Sequence, residues 1–291
     1  KLFNLMTVTN AISIDVEDYF QVSAFENSID RKNWDSLEHR VSKNMDKVFE
    51  VLSDTHVQAT FFILGWVAER YPEMVKKITK NGHEIASHGY GHQRVSDLTR
   101  KEFKEDVTRA KGILEDISGI QIQGYRAPSY SIGKNNIWAL EVLADTGHQY
   151  SSSIYPIKHD HYGYPEAPRF VFKDENTGLI EIPITTMKLF SRLYPAGGGG
   201  FFRFYPYSFS KWAINRVNQV DKQPSVFYFH PWELDPDQPR QVNISRKSKF
   251  RHYLNLNKTE PRLRQLLTDF KWGKVYDVFI EGKQLSTYPL S

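Results

Sequence analysis

The chain has 291 residues, of which 40% are hydrophobic and 25% are charged, a composition typical of a globular protein with a large buried core. It contains no cysteine, which excludes disulfides, thiolate metal ligands and thiol nucleophiles. The formal net charge of +4 is too small to indicate a nucleic-acid partner, and no run of about 18 apolar residues predicts a membrane span.

The predicted elements alternate along the chain between short apolar runs and amphipathic segments. Strands are predicted at 11–16, 59–64, 84–87, 124–126, 150–153 and 225–229. Helices are predicted at 36–55, 66–81, 99–119, 137–147 and 262–267. This alternation predicts an α/β fold with a parallel sheet built from βα units. Because α/β barrels keep their sites at the carboxyl ends of the strands, we expect functional side chains there.

Two histidines follow the third predicted strand. His88 and His92 are four residues apart, so in a helix the two imidazoles would share one face, which suits two nitrogen ligands of one divalent metal. Gly89 and Gly91 favour a tight loop instead. His83 precedes the strand, and we expect it to be structural.

Three acids end the first predicted strand: Asp15, Glu17 and Asp18. Buried carboxylates are costly unless they are paired or bound to a metal. In an extended strand Asp15 and Glu17 point to the same side and Asp18 to the other. One carboxylate could therefore bind the metal while its neighbour takes a proton from the attacking water.

Two further strand ends carry candidate catalytic residues. Arg126 follows the fourth predicted strand, and beside a carboxylate it would hold that group ionised and oriented. His230 ends the last predicted strand, and facing the metal site it could act as a general acid.

Together these residues resemble the motifs of the polysaccharide deacetylase (NodB-homology) family of carbohydrate esterases, over about residues 11–232. The first motif is met by the run Ser13-Ile14-Asp15-Val16-Glu17-Asp18, the second by His88 and His92, the third by Arg126-Ala127-Pro128 and the fifth by Phe229-His230. The runs 15–20, 197–203, 229–234 and 250–256 suggest the exosortase-associated exopolysaccharide deacetylase subgroup.

The resemblance implies a distorted (β/α) barrel and one divalent metal ion held by an acid and two histidines. It implies Asp15 as the base, Arg126 as the residue that keeps Asp15 ionised, and His230 as the acid. Strand alternation favours Glu17 as the third metal ligand, and Asp18 is the alternative if the strand turns there. We expect one catalytic domain over residues 1–291, with a C-terminal extension from about residue 235.

One departure from the family pattern concerns His230. The family's fourth motif carries an aspartate after a strand-end tyrosine, but here Ser151 follows Tyr150. The carboxylate that would orient His230 is therefore not identified from the sequence.

The implied function is a metal-dependent hydrolase that removes N-acetyl groups from an amino sugar in a polysaccharide or its precursor. Zinc is the metal expected first, with nickel, cobalt or manganese as alternatives, and the partner is an N-acetylated glycan. The alternatives are a hydrolase of a small cyclic amide or imide, and a non-catalytic glycan-binding module. No signal peptide is visible, so the cytoplasm is the expected location, or the periplasm if a leader has been removed.

Four consecutive glycines, Gly197 to Gly200, indicate either a hinge or a loop that approaches a ligand closely. Since aromatic faces stack on sugars, we expect this loop to form part of a sugar cleft with nearby aromatic residues. These are Phe201, Phe202, Tyr205 and Trp232. The alternative is a hinge over a hydrophobic core.

Overall fold

The computed structural model describes residues 8–159 and 163–290. Its strands are β1 Thr9–Val16, β2 Thr60–Ile63, β3 Glu84–Ser87, β4 Gly124–Tyr125, β5 Tyr150–Ser151, β6 Phe172–Asp174, β7 Ile180–Glu181, β8 Thr186–Leu189, β9 Arg192–Pro195, β10 Val226–Phe229, β11 Lys271–Gly273 and β12 Thr287–Tyr288. Its α-helices are α1 Val41–Asp54, α2 Gly65–Arg70, α3 Pro72–Lys80, α4 Arg100–Ser118, α5 Ala139–Asp145, α6 Gly199–Phe204, α7 Tyr207–Arg216, α8 Arg246–Tyr253, α9 Leu256–Asp269 and α10 Val275–Phe279.

The main sheet has the order β10-β1-β2-β3-β4-β5-β7-β6-β12, and β11 also pairs with β1. Each neighbouring pair from β10 to β7 is parallel, whereas β6 and β7 are antiparallel. Strands β8 and β9 form a separate antiparallel hairpin. The predicted α/β class with a parallel sheet is confirmed. Its strands end at a common edge, which is where the candidate site residues lie.

Irregular backbone between β7 and β10 brings the two ends of the parallel sheet together. Ile184 N–H donates to Ile154 O at 3.0 Å, and Ala196 N–H donates to Thr185 O at 3.0 Å. Tyr228 N–H, in β10, donates to the carbonyl of Gly197 at 2.8 Å. The segment 196–198 therefore lies between β10 and the chain that follows β7. This irregular closure gives the distorted barrel that the family resemblance implies.

The glycine run is needed for this closure. Gly198 forms a parallel bridge with Tyr228 and has a φ of 109°, a backbone conformation that residues with a side chain rarely adopt. A Cβ atom at Gly198 would lie 2.1 Å from the carbonyl oxygen of Tyr228. At Gly198 the backbone of the loop therefore lies directly against the backbone of β10. We call this contact, where the barrel closes, the seam of the barrel.

Local signals set most helix boundaries, and three predictions of helix extent were wrong. The helix predicted at 262–267 is part of the longer α9, Leu256–Asp269. Helix α4 begins with a capping box between Thr99 and Glu102 and ends at Gly119 with a φ of 70°, as its sequence predicts. The predicted helix 66–81 is instead two helices, because Pro72 cannot continue α2 and takes the first position of α3. Helix α1 begins at Val41 and not near residue 36.

Substitution of Gly198 tests the seam of the barrel. We expect Gly198→Ala to lower the free energy of unfolding by about 2–4 kcal/mol, because it adds both a backbone clash and an unfavourable φ. Gly119→Ala is the matched control: its φ is also positive, at 70°, but nothing lies within 4 Å of an added Cβ, so about 1 kcal/mol is expected. Denaturant unfolding measures both, and equal losses would contradict a close approach at Gly198.

Candidate metal-binding active site

A cavity of about 230 Å³ opens at the carboxyl ends of the strands. Its lining includes most of the predicted site residues: Asp15, Glu17, His88, His92 and His230. Arg126 lies behind Asp15 and is fully buried. Asp18 does not line the cavity. The structure therefore brings together every predicted site residue except Asp18.

Glu17, His88 and His92 form a buried cluster whose ligand atoms lie within 4.8 Å of one another. His88 Nδ1–H donates to the carbonyl of Arg126 at 2.8 Å, which leaves the Nε2 lone pair free to bind a metal. Glu17 Oε2 is 2.7 Å from His92 Nε2, yet the pair lacks hydrogen-bond geometry. Among the described residues, this buried carboxylate oxygen has no hydrogen-bond donor.

The protonation states in the cluster also suit a divalent cation. Burial by itself would raise the pKa of Glu17, but His92 and His230 lower it to about 2, so the carboxylate is ionised at neutral pH. Burial lowers the pKa of His88 to about 4, so this imidazole is neutral. One carboxylate oxygen and two imidazole nitrogens are a common ligand set for zinc. The donor set, and the buried oxygen without a donor, fit the metal that the family resemblance implies.

A tight loop holds the two histidines together. His88 directly follows β3, and His92 has a φ of 52°, in the left-handed region, so a helix through both residues is excluded. Gly89 has a φ of 73°. The side chain of Arg31 donates to the carbonyls of Gly91 and His92 at 2.8 and 3.1 Å. The flanking glycines indicated this loop correctly.

Asp18 belongs to a helix terminus, so its prediction as an alternative metal ligand is corrected. Its Oδ2 accepts the backbone N–H groups of Arg40 and Val41 at 2.7 and 2.9 Å, at the start of α1, and its Oδ1 accepts that of Tyr19 at 2.8 Å. Burial raises its pKa to about 6, against the opposing effect of these hydrogen bonds. A carboxylate that stabilises a helix N-terminus in this way is turned away from the histidines.

Asp15 and Arg126 form a buried ion pair next to the metal-ligand cluster. Arg126 Nη1 lies 2.6 Å from Asp15 Oδ1, and the other guanidinium nitrogens donate to the carbonyl and hydroxyl oxygens of Ser152. The guanidinium also packs 4.0 Å from the ring centroid of Phe62. Asp15 Oδ2 is 4.0 Å from His230 Nε2. One carboxylate oxygen is thus fixed by Arg126, and the side chain lines the cavity.

Glu233 is the orienting carboxylate that the sequence interpretation did not find. His230 Nδ1–H donates to Glu233 Oε1 at 2.7 Å, and Arg203 Nε donates to Glu233 Oε2 at 2.5 Å. Burial would lower the pKa of His230, but Glu17 and Glu233 raise it to about 9. Burial would raise the pKa of Glu233, but Arg203 and His230 lower it to about 2. The sequence signal was the run His-Pro-Trp-Glu, since a glutamate three residues after a helix N-cap reaches back to it.

Trp232 lies behind the metal-ligand cluster and does not offer a free face to a sugar. Its ring is stacked between His230, at 5.1 Å between centroids, and His252, at 4.2 Å. Its indole N–H donates to Glu17 Oε1 at 3.0 Å. Phe202 is also buried, packed against Phe227. Trp232 does line the cavity, but histidine rings cover both of its faces, so the expectation that it stacks on a sugar is wrong. Phe202 is not among the residues that line this cavity.

Two family models match the chain, one after the other. Residues 33–151 match the model described as polysaccharide deacetylase. This part of the chain is similar to a polysaccharide deacetylase domain. It contains His88, His92 and Arg126, whereas Asp15 and Glu17 precede the matched range. Residues 152–280, which include His230, match a domain of unknown function, DUF3473.

The curated relatives match this chain over about a third of its length. A peptidoglycan-N-acetylglucosamine deacetylase from Bacillus cereus is 33% identical over 33% of the chain and 35% of its own length. A chitooligosaccharide deacetylase from Sinorhizobium fredii is 30% identical over 33% of the chain and 43% of its own length. The chain therefore spans less than half of the length of either relative.

A solved structure shares the fold over nearly the whole chain. It is a protein from Mycobacterium smegmatis that is provisionally assigned as a polysaccharide deacetylase. The match covers 96% of this chain and 91% of the solved chain, with a TM-score of 0.60 and 18% sequence identity. At this identity the likeness establishes the fold alone. Among the described residues, none of the helices combines the length and apolar character needed to cross a membrane.

Metal content can separate the roles of Glu17 and Asp18. We expect Glu17→Gln to lose bound divalent metal, because it removes the only carboxylate in the described cluster. Asp18→Asn is expected to keep the metal and to lower the free energy of unfolding by about 1–2 kcal/mol, because it weakens the start of α1. Elemental analysis and denaturant unfolding measure the two effects. Metal loss in Asp18→Asn alone would overturn this division of roles.

Proposed function

We propose that this protein is a metal-dependent hydrolase that removes N-acetyl groups from an amino sugar in a polysaccharide or its precursor. The observation that carries this proposal is the arrangement of three groups around one cavity. They are the ligand cluster Glu17–His88–His92, the carboxylate of Asp15 and the imidazole of His230. The named activities of the partial relatives support the same reaction. A place in exopolysaccharide biosynthesis stays a prediction.

We propose zinc as the ion held by Glu17, His88 and His92, with nickel, cobalt or manganese as alternatives that a metal analysis distinguishes. Such an ion supplies Lewis acidity toward the amide carbonyl and the attacking water. The chain's own contribution is to present one carboxylate and two imidazole nitrogens around one point. The carbonyl of Arg126 fixes His88, and the indole of Trp232 fixes Glu17.

Asp15 is the proposed general base. Arg126 holds Oδ1, so Oδ2 is the oxygen that takes the proton from water. This places the accepting oxygen on the cavity side, beside the metal-ligand cluster.

His230 is the proposed general acid. Nδ1–H is engaged by Glu233, so Nε2–H is the group that faces the cavity and can protonate the leaving amine. Arg203 fixes the other oxygen of Glu233, and this prevents the carboxylate from rotating away. Glu233 is thus a positioning residue that acts through His230.

The shape of the site favours a glycan over a small cyclic amide or imide. A second cavity adjoins the catalytic cavity, and the two share the lining residues Gly200, Tyr228 and Arg251. A chain of sugars can extend from one cavity into the other, whereas a small ring would fill only the first. The ligand and base residues also favour catalysis over simple glycan binding.

Acetate release tests the proposed reaction. The metal-loaded protein should release acetate from N-acetylated oligosaccharides, and chelation should abolish the release until a divalent ion is restored. Asp15→Asn should retain metal but lower kcat by roughly 10²–10⁴-fold, the usual contribution of a positioned base. Ring opening of a cyclic imide without acetate release from any glycan would favour the small-substrate alternative. Glycan binding without turnover would favour the binding module.

A double-mutant cycle tests whether Glu233 acts through His230. His230→Asn should lower kcat by about 10²–10⁴-fold, and Glu233→Gln should lower it by about tenfold or more, with metal content and KM unchanged. In the double variant, Glu233→Gln should cause no further loss, because its effect requires the imidazole. If the two losses multiply instead, Glu233 has a role independent of His230, such as support of Arg203.

A further inference from the structure

The hairpin of β8 and β9 ends in a phenylalanine that is nearly fully exposed. Leu189 pairs with Arg192, so the turn consists of Phe190 and Ser191 alone. Phe190 is 89% exposed, the largest fraction for any large hydrophobic side chain in the described ranges, 8–159 and 163–290. Its φ is 53°, which suits glycine in a two-residue hairpin turn and which bulky residues rarely adopt. An exposed ring held at an unfavourable φ indicates a role other than stabilising the fold.

The chain around this tip is rich in aromatic and basic residues. Residues 182–220 contain nine aromatic and five basic residues but no aspartate or glutamate. Lys188 and Arg192 lie on either side of Phe190 in the hairpin, and both are exposed. The tip therefore combines an apolar ring with two cations.

Helix α7 packs against the hairpin and adds a second exposed ring. Arg216 Nε donates to the carbonyl of Lys188 at 3.0 Å. Trp212 is 42% exposed and lies 5.6 Å from Phe209 between ring centroids, and Phe209 packs in the same apolar cluster as Leu189. We give the name hairpin surface to four exposed residues of these two elements: Lys188, Phe190, Arg192 and Trp212.

The acids on two neighbouring elements have other cations as partners. Asp221, just after α7, lies 3.0 Å from Arg169, and Asp269, at the end of α9, lies 3.0 Å from Lys211. Their negative charges are compensated by these partners and not by the hairpin. The hairpin surface is therefore complementary to an anionic partner that also accepts apolar rings.

We propose that the hairpin surface binds an anionic lipid bilayer, with the two rings inserted among the lipids and the two cations paired with lipid phosphates. Aromatic rings beside basic side chains are typical of contacts at a membrane interface. This inference goes beyond the proposed reaction and does not depend on it. Gly200, which lines the catalytic cavity, lies on the segment that joins the hairpin to α7, so the contact would hold the cavity close to the lipid surface.

Shape and charge favour a bilayer over two other occupants. A sugar site is concave, whereas a hairpin tip with a nearly fully exposed ring is convex. In a symmetric contact between two copies of the chain, the cations of one hairpin surface would meet the same cations of the other. A bilayer that contains anionic lipids accepts a convex tip and provides both the apolar and the anionic partner.

The experiment measures flotation of the metal-loaded protein with two kinds of vesicle. One consists of phosphatidylcholine alone, and the other contains about 30% phosphatidylglycerol, which makes it anionic. We expect the partition coefficient to be at least about tenfold higher for the anionic vesicles, and to fall as the salt concentration is raised, because salt screens the cations.

Variants at Phe190 separate membrane binding from folding. Phe190→Gly should lower the partition coefficient by about tenfold or more, because it removes the inserted ring. Its midpoint of denaturant unfolding should be unchanged or higher, because glycine adopts a φ of 53° without strain. Phe190→Trp should keep the binding of the parent. Val242→Ser is the matched control, since it removes a side chain that is 74% exposed outside the hairpin surface, and it should bind like the parent.

A charge variant tests the cations. Lys188→Gln combined with Arg192→Gln should lower binding to the anionic vesicles by about tenfold or more and leave binding to phosphatidylcholine unchanged. Lys101→Gln combined with Lys104→Gln removes two exposed cations from α4 and should bind like the parent.

Three results would overturn the proposal: no binding of the parent to anionic vesicles, parent-like binding of Phe190→Gly, or losses of the same size in the control variants. Self-association that Phe190→Gly abolishes, without vesicle binding, would also overturn it and would identify the hairpin surface as a contact between copies of the chain. None of these measurements depends on acetate release, so their failure is distinguishable from failure of the proposed function.

Discussion

The site depends on a single buried guanidinium. Arg126 is fully buried, and its side chain binds Ser13 and Asp15 of β1 and reaches Ser152, next to β5. Its carbonyl accepts the Nδ1–H of His88. One residue therefore fixes the proposed base and one proposed metal ligand, and it connects strands that lie on different sides of the barrel.

Arg126 in turn depends on Asp15. A fully buried guanidinium is tolerated only when it is paired and its hydrogen bonds are satisfied, so Arg126 requires the Asp15 side chain as its partner. The carboxylate that serves as the proposed base is thus also the counter-ion that makes Arg126 stable. The same ion pair is therefore needed both for the stability of the fold and for the proposed reaction, so we expect substitution of either Asp15 or Arg126 to impair both.

Much of this could be predicted from the sequence where the signal is local or periodic. Strand alternation places Asp15 and Glu17 on one side, and the capping box of α4 marks the start of that helix. Asp18 could not be assigned in this way, because its orientation depends on the arrival of α1 from residues 40–41 in three dimensions. The alternation of a strand predicts the face of the sheet on which a side chain lies. It does not predict which backbone N–H groups from distant parts of the chain will bind that side chain.

The C-terminal half of the chain could be predicted least well. The sequence analysis expected the ring of Trp232 to stack on a sugar. In the structure two histidines cover its faces, and one of them, His252, comes from α8. Glu233 was not identified as the orienting carboxylate because it lies in a short 3₁₀ turn and not in the family's usual fourth motif. The environment of Trp232 depends on His252, which comes from α8 and which no local pattern near Trp232 specifies, whereas the capping pattern His-Pro-Trp-Glu is a local signal for Glu233.

The central claim is that Glu17, His88 and His92 converge on one divalent ion beside Asp15 and His230. Anomalous X-ray diffraction from crystals of the zinc-loaded protein, measured at the zinc absorption edge, tests it most directly. A single strong peak is expected about 2.0–2.2 Å from one oxygen of Glu17 and from one imidazole nitrogen of each histidine, with Asp18 still bound to the start of α1. A peak coordinated by Asp18, or no peak at the His88–His92 loop, would contradict the claim.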